Sequence, residues 1–277
     1  MRFIRILVVL GLLAILLYAA FYHGLVLKKY AVHTNKLAPG DSIRIVLITD
    51  LHSHIYGEEQ TGIVSLIKQQ TPDLIALAGD IADDVEPIRG TELFLEGIKD
   101  LAPVYYVSGN HEYWSNNIHN IKALIRKYGV TVLENDYEYI KVKNSSIIIG
   151  GVDDPDMVRF EKPDFDWKAE FHNAFSALQD QPEFKILLAH RPELIEIYKD
   201  SNFDLVLSGH AHGGQIRIPL LLNGLFAPNQ GWFPAYAGGL YQHGSLTHIV
   251  SRGASNNIPL PRIFNPPEVV VIEITAQ

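Results

Sequence analysis

Residues of the types that hold divalent cations recur in short motifs far apart along the chain, seven of them as candidate ligands. The seven are Asp50 and His52 in Asp50-Leu-His52, Asp80 after Gly79, Asn110 before His111, His190, and His210 with His212 in Gly209-His-Ala-His212. Imidazole and carboxylate without thiolate suit Mn, Fe, Zn, Ni or Co better than Ca or Cu(I). Seven ligands are too many for one four-coordinate site and fit two cations, with one aspartate offering an oxygen to each. Two cations about 3.5–4 Å apart can bind a phosphate and activate a bridging hydroxide for in-line attack. The amide oxygen of Asn110 is neutral and limits the charge on its cation.

The elements around these motifs explain how they meet. Short β-branched or apolar runs at Ile43 to Ile48, Leu74 to Ala78, Val104 to Val107, Lys185 to Ala189 and Phe203 to Leu207 read as strands, and a motif follows each one. Helical spacing appears between them at Thr61 to Gln70, Glu92 to Leu101, Ile118 to Tyr128, Trp167 to Leu178 and Glu193 to Tyr198. This alternation predicts an α/β fold with crossover connections and a largely parallel core. Ligands in such folds bind beyond the carboxyl ends of the strands, where all seven candidates fall. A lone Asp-x-His or Gly-Asp is ordinary turn chemistry; five such motifs at five strand ends are a site. Tyr137 to Val142 and Ile147 to Val152 read as a hairpin. Leu246 to Ser251 and Val269 to Ile274 are late strands, the last with one wet face suggested by Glu268 and Glu273.

Composition narrows the function. The chain has 277 residues, 47% of them apolar, which suits one large α/β domain or two small ones. Its net charge of −8 argues against a nucleic-acid partner, because phosphate backbones need Lys/Arg surfaces. It has no cysteine, which excludes disulfides, zinc–thiolate sites, iron–sulfur clusters and cysteine nucleophiles. From Ile6 to Leu27 there is no Lys, Arg, Asp or Glu. That run is long enough to cross a hydrocarbon core of about 30 Å. It exceeds the apolar region of a signal peptide, and Tyr18-Ala-Ala20 is a poor cleavage site, so residues 1–29 read as a single-pass anchor. Flanking positive charges balance and leave the orientation open. Residues 30–41 read as a linker or edge strand, and 42–277 as the catalytic domain.

In order along the chain, Asp50-Leu-His52, Gly79-Asp80, Gly109-Asn-His111, His190 and Gly209-His-Ala-His212 resemble the five motifs of the calcineurin-like metallophosphoesterases. The resemblance implies a four-layer α/β/β/α sandwich with a dinuclear centre. It implies that Asp50, His52 and His212 bind one cation, that Asn110, His190 and His210 bind the other, and that Asp80 bridges them. His111 would act catalytically, stabilising phosphoryl oxygens or protonating the leaving group. The cofactors would be two divalent cations, Mn first, with Fe or Zn as alternatives. His-Ala-His-Gly-Gly-Gln215, Gly239-Leu-Tyr241, Ser251-Arg-Gly253 and Pro266-Pro-Glu268, with the N-terminal segment, look like a bacterial membrane-associated phosphodiesterase branch. That branch includes enzymes cleaving UDP-2,3-diacylglucosamine at its pyrophosphate in lipid A synthesis. The substrate would then be a phosphodiester or pyrophosphate, lipid-linked, met at the cell membrane, and no protein partner is required. Phosphomonoester or phosphoprotein hydrolysis in the envelope, and a non-catalytic metal-binding scaffold, are the alternatives.

Other residues have both a functional and an ordinary reading. Arg191 suits a bidentate phosphate clamp or a surface ion pair, and Trp114 suits stacking on substrate or core packing. His54 reads as a rim side chain. Asp83 and Asp84 read as caps before they read as support for ligands, and Asp153 and Asp154 as turn residues. Residues 216–233, with Leu220 to Leu222 and Trp232-Phe233, read as a rim packed on the domain or as an apolar lip toward a membrane or acyl chain.

Overall fold

The computed structural model describes residues 1–256 and 260–277. Helix α1 (Arg2–Ala20) leads into β1 (Val26–Thr34) and β2 (Ser42–Ile48). Next come α2 (Thr61–Gln69), β3 (Leu74–Ala78), α3 (Arg89–Ile98), β4 (Val104–Val107), α4 (Asn110–Trp114), α5 (Ile118–Lys127) and β5 (Thr131–Val132). The second half runs through β6 (Asp136–Val142), β7 (Ser145–Val152), α6 (Met157–Phe160), α7 (Trp167–Phe175), β8 (Phe184–Ala189), α8 (Ile195–Tyr198) and β9 (Leu205–Ser208). It closes with β10 (Phe226–Ala227), β11 (Gly231–Trp232), β12 (Gly239–His243), β13 (Leu246–Val250) and β14 (Glu268–Ala276).

Two six-stranded mixed sheets result, ordered β1-β14-β2-β3-β4-β5 and β12-β13-β9-β8-β7-β6. Period-two alternation sends successive side chains to opposite faces of each strand. From β2, Ile43, Ile45 and Leu47 join Ile186 and Leu188 of β8 and Leu205 and Leu207 of β9 in one apolar cluster shared by both sheets. The opposite-facing Val46 and Ile48 pack with Ile63 and Ile67 of α2 and with Phe94, Leu95 and Ile98 of α3. On the second sheet, Leu187 and Ala189 pack with Phe171, Phe175 and Tyr198. Strands covered on both faces are therefore continuous apolar runs, and each fully buried Ile or Leu contributes about 1.5–3 kcal/mol.

The strands that precede the ligand motifs lie in parallel groups, β2-β3-β4 in one sheet and β8-β9 in the other. Their carboxyl ends share one edge, and the motif loops meet there.

Three features differ from the sequence reading. The late strand β14 is wet only toward its end, where Glu273 and Thr275 are half-buried and Glu273 pairs with Arg44. It lies between β1 and β2, Val269 to Ile272 are buried, and Glu268 is buried against the Arg252 guanidinium. The edge strand β1 starts at Val26, inside the stretch counted with the apolar segment, and pairs in parallel with β14 from Val26↔Glu268 to Thr34↔Ala276. Strand β12 has no sequence signal because its pattern is inverted: Leu240 is exposed while Tyr241 is half-buried.

Helix α1 is long and apolar enough to cross a membrane, with a mean hydropathy of 2.6, and a signal sequence has the same properties. Ala20 is its one buried residue.

Candidate metal centre

The motif loops begin with unusual backbone. Asp50, His52, Asp80, His210 and His212 all have φ between 47° and 65°. L-residues enter this left-handed region at a cost of about 1–2 kcal/mol, and Asp and His are among those that do so most often. Neighbouring glycines give the carboxylates room. A Cβ on Gly109 would lie 2.2 Å from Asp80 Oδ1, and one on Gly209 would lie 2.4 Å from Asp50 Oδ2. The Gly-Asn-His and Gly-His-Ala-His motifs therefore need glycine because the next loop's carboxylate occupies the side-chain space.

Four overlapping groups of donor atoms result among the described residues, two of them including His111, with His52 and Asp80 and with Asp83 and Asp84. Asp50, His52 and His212 offer ligand atoms within 4.8 Å of one another, and so do Asp80, His190 and His210. One Asp80 oxygen joins these last two. Oδ2 lies 3.1 Å from His190 Nε2 and 3.7 Å from His52 Nε2, while Oδ1 accepts the His111 amide at 2.9 Å. In the first group, His212 Nε2 lies 3.5 Å from Asp50 Oδ1, and Asp50 also accepts the His210 amide. Asn110 opens α4 with its side-chain oxygen buried. All seven candidate ligands are buried.

Supporting groups fix the imidazoles. His190 Nδ1 donates to the Ala78 carbonyl at 2.9 Å, which leaves Nε2 to face Asp80. His210 Nε2 donates to Asn229 Oδ1 at 2.8 Å, and Arg191 Nη1 donates to the same oxygen at 2.6 Å. The 3.1 Å between Arg191 Nη1 and His210 Nε2 is then a contact of two donors sharing one acceptor. This leaves Nδ1 of His210 as its ligating atom. His52 Nδ1 lies 2.7 Å from Asp83 Oδ2, and His111 Nδ1 lies 2.6 Å from Asp84 Oδ1. Asp83 also caps the Val85 and Glu86 amides, so it is both cap and ligand support.

Glu112 carries no signal of its own in the sequence, yet it ties two motif loops together. Its oxygens accept the amides of Asp80, Ile81, Ala82 and Gly109 at 2.8–3.0 Å. Burial, and then Asp80, push this carboxyl up to about 7 against the pull of the Gly109 and Ala82 amides. A cation at Asp80 cancels the second of these causes.

The ion pair expected of Arg191 forms, but inside the body rather than at the surface. Arg191 is buried, and its guanidinium donates twice to Asp154 and once to Asn229. Its effect on the site is to hold Asn229 against His210. Asp153 and Asp154 are likewise more than turn residues. Asp153 is buried against Lys122 and Ser108, and Asp154 against Arg191. Trp114 is partly exposed, 4.6 Å from the His111 ring, with its indole N–H on Asp156. It therefore stands at the rim beside the catalytic candidate. His54 packs against Tyr56 outside both ligand groups.

Charge in the site follows from burial and pairing. Burial pushes the Asp50 carboxyl up, with His190 opposing. Burial acts the same way on Asp80, but His190 and His111 override it and hold that carboxyl well below the usual range. Burial lowers the His190 ring, and Asp80 reverses this to raise it to about 10. Burial pulls His210 and His212 well below 6.5. A cation held by His190 Nε2 would take the place of the proton there.

The residues fit two divalent cations. Buried Asn110 Oδ1 has no hydrogen-bond partner among the described residues, and buried Asp80 Oδ2 and His190 Nε2 have only each other at 3.1 Å, a cost that a cation between these atoms would remove. The donors are nitrogen and oxygen only, and each group supplies both.

Comparison with known proteins places the chain in a family. A family model described as calcineurin-like phosphoesterase matches residues 43–214. An uncharacterized metallophosphoesterase from Helicobacter pylori is 32% identical over 282 residues, covering 99% of this chain and 70% of its own length. The uncharacterized metallophosphoesterase YkuE of Bacillus subtilis is 30% identical, covering 84% of this chain and 79% of its own. This chain spans 66% and 59% of two further relatives, from a second Helicobacter pylori strain and from Campylobacter jejuni. Among solved structures, Haemophilus influenzae NAD nucleotidase superposes with a TM-score of 0.53 at 16% identity, covering 78% of this chain and 46% of that one. A Thermus thermophilus protein gives 0.50 at 14% identity, covering 77% and 90%. These two likenesses show the fold. The chain belongs to the calcineurin-like phosphoesterase family and is a metal-dependent phosphoester hydrolase.

Proposed function

We propose that this enzyme hydrolyses a phosphodiester or pyrophosphate bond in a membrane-linked substrate. The observation that carries the reading is the placement of Asp80 Oδ2 between the two ligand groups. In this reading Asp50, His52 and His212 would hold one cation and Asn110, His190 and His210 the other, with Asp80 available to both. Bound there, the cations supply Lewis acidity and lower the pKa of water. His111 stands at the open side, a quarter exposed, with Nε2 free to hold or give a proton at the departing oxygen. Asp84 orients it through Nδ1. Mn is the cation we favour, since the mixed nitrogen and oxygen donors suit it.

The hairpin of β10 and β11 supports an apolar substrate. It brings Asn229 to His210 and, three and four residues on, exposes Trp232 and Phe233. A lipid chain lying on that pair would place its phosphate toward the cations. UDP-2,3-diacylglucosamine is the specific substrate proposed from the sequence motifs. The three apolar clusters support a four-layer α/β/β/α arrangement, and α1 supports a single-pass location at a bacterial cell membrane.

The test is hydrolysis by the full chain in detergent after chelation and reconstitution with Mn. Substrates are bis-p-nitrophenyl phosphate, p-nitrophenyl phosphate and UDP-2,3-diacylglucosamine. Release of UMP from the lipid nucleotide supports the full reading. Faster cleavage of the monoester than of either other compound overturns the diester assignment.

A further inference from the structure

Helix α1 ends against a part of the body that carries its own apolar projection. The Ala20 carbonyl at the helix end accepts the Phe264 amide at 2.8 Å. Phe264 lines a cavity of about 460 Å³ together with Arg217, Arg252 and the turn at residues 218–222. That turn is Ile218-Pro-Leu-Leu-Leu222. It is closed by hydrogen bonds from the Leu221 and Leu222 amides to the Ile218 carbonyl, and from the Ile218 amide to the Leu222 carbonyl. It is tied to the segment holding α1 by the Arg217 amide on the Ile263 carbonyl.

The turn presents its leucines outward. Leu220 is fully exposed, Leu221 is 84% exposed, and Leu220 takes a left-handed φ of 67° that a bulky residue rarely adopts. A closed, strained turn that exposes two leucines has nothing within the described residues to bury them. Arg217 stands behind them, half-buried, with Nη2 donating to Asn223 Oδ1 and Nη1 enclosed. Exposed apolar tips on a closed turn beside the end of an apolar helix are the pattern of a segment lying in the headgroup and acyl boundary.

We infer that the turn at residues 218–222 is a second membrane contact. It enters the bilayer beside the end of α1. This rests on reading α1 as a span, because the shared Phe264 contact puts the turn at the depth where that span emerges. Two contacts fix the orientation of the catalytic body on the membrane, where one short connection from Phe21 to Leu25 would let it swing.

The absence of native cysteine permits a direct test. The full chain is reconstituted in phosphatidylcholine–phosphatidylglycerol vesicles, with single environment-sensitive labels at Leu221→Cys, Tyr18→Cys in α1, and Lys127→Cys on exposed α5. The expected result is quenching of the Leu221 and Tyr18 labels by brominated acyl chains, each by about two-fold, with the Lys127 label quenched by aqueous iodide alone. Lipid quenching at Tyr18 with iodide quenching at Leu221 overturns the second contact and leaves the span standing. Iodide quenching at both overturns the span, and with it this inference. A Leu221 label shielded from both quenchers also overturns it, since a protein surface would then cover the turn.

Discussion

His111 Nδ1 donates to Asp84 Oδ1 at 2.6 Å, and this contact settles which ring nitrogen can face a substrate. The catalytic candidate is thus held by a carboxylate from the β3–α3 loop, four residues beyond Asp80. Asp84→Asn should lower kcat about 10–100-fold with little change in bound metal. The check is kcat, its pH profile and metal content by elemental analysis; a variant that instead loses a metal equivalent would show that Asp84 supports a ligand.

His111→Ala should lower kcat by about 10²–10⁴-fold while both metal equivalents remain. Asp80→Ala should abolish turnover and lose metal while the circular dichroism spectrum stays native, since Asp80 sits on a loop at the sheet edge. Normal turnover by Asp80→Ala would sink the two-cation assignment.

Asn229→Ala removes the acceptor shared by His210 and Arg191. Metal affinity at the second group should fall about 10–100-fold, because the ring that ligates loses its orientation. Titrating Mn into the chelated variant measures this, and unaltered affinity at both sites would show that Asn229 does not position His210.

Glu112→Gln turns one buried carboxylate oxygen into a donor facing backbone amides. The expected loss is about 2–4 kcal/mol, read from urea unfolding. Metal affinity should fall with it, because the Asp80 and Gly109 loops lose their common tie. Native stability in this variant would contradict the four-amide geometry.

His248 is buried and held down to about 3, first by burial and then by His243. Its ordinary value in an unfolded chain is about 6.5. Below that pH the unfolded chain takes up a proton that the native state refuses, so stability is lost as pH falls from about 6.5 toward 3. At pH 4.5 this one group accounts for about 2–3 kcal/mol. His248→Gln keeps a donor near Ser208 and should flatten that acid-side slope relative to the parent protein. Parallel curves for the two proteins between pH 7 and 4.5 would refute it.

The motif residues were legible because chemistry restricts their types and strand endings restrict their places. Asp50 to His52, Asp80, Asn110, His190 and His210 to His212 each follow an apolar run that can be read locally. The same holds for β3, whose five residues are all buried and all apolar. Glu112, Asn229 and the roles of Asp83 and Asp84 were not legible. Each acts through a partner 20 to 30 or so residues away, and nothing in the neighbouring sequence distinguishes it from an ordinary cap or turn residue. Arg191 offers by its type an ion pair or a phosphate clamp, and only the fold brings Asp154 to two of its donors.

The sequence by itself determined the donor set, the alternation of strands and helices, and an apolar N-terminal helix, because these depend on residue type and local periodicity. Tertiary structure decided which oxygen lies between the two groups, which nitrogen each histidine presents, and where the end of α1 meets the body. Those depend on distances between residues remote in the chain, and a distance through space exists only after the two sheets have packed.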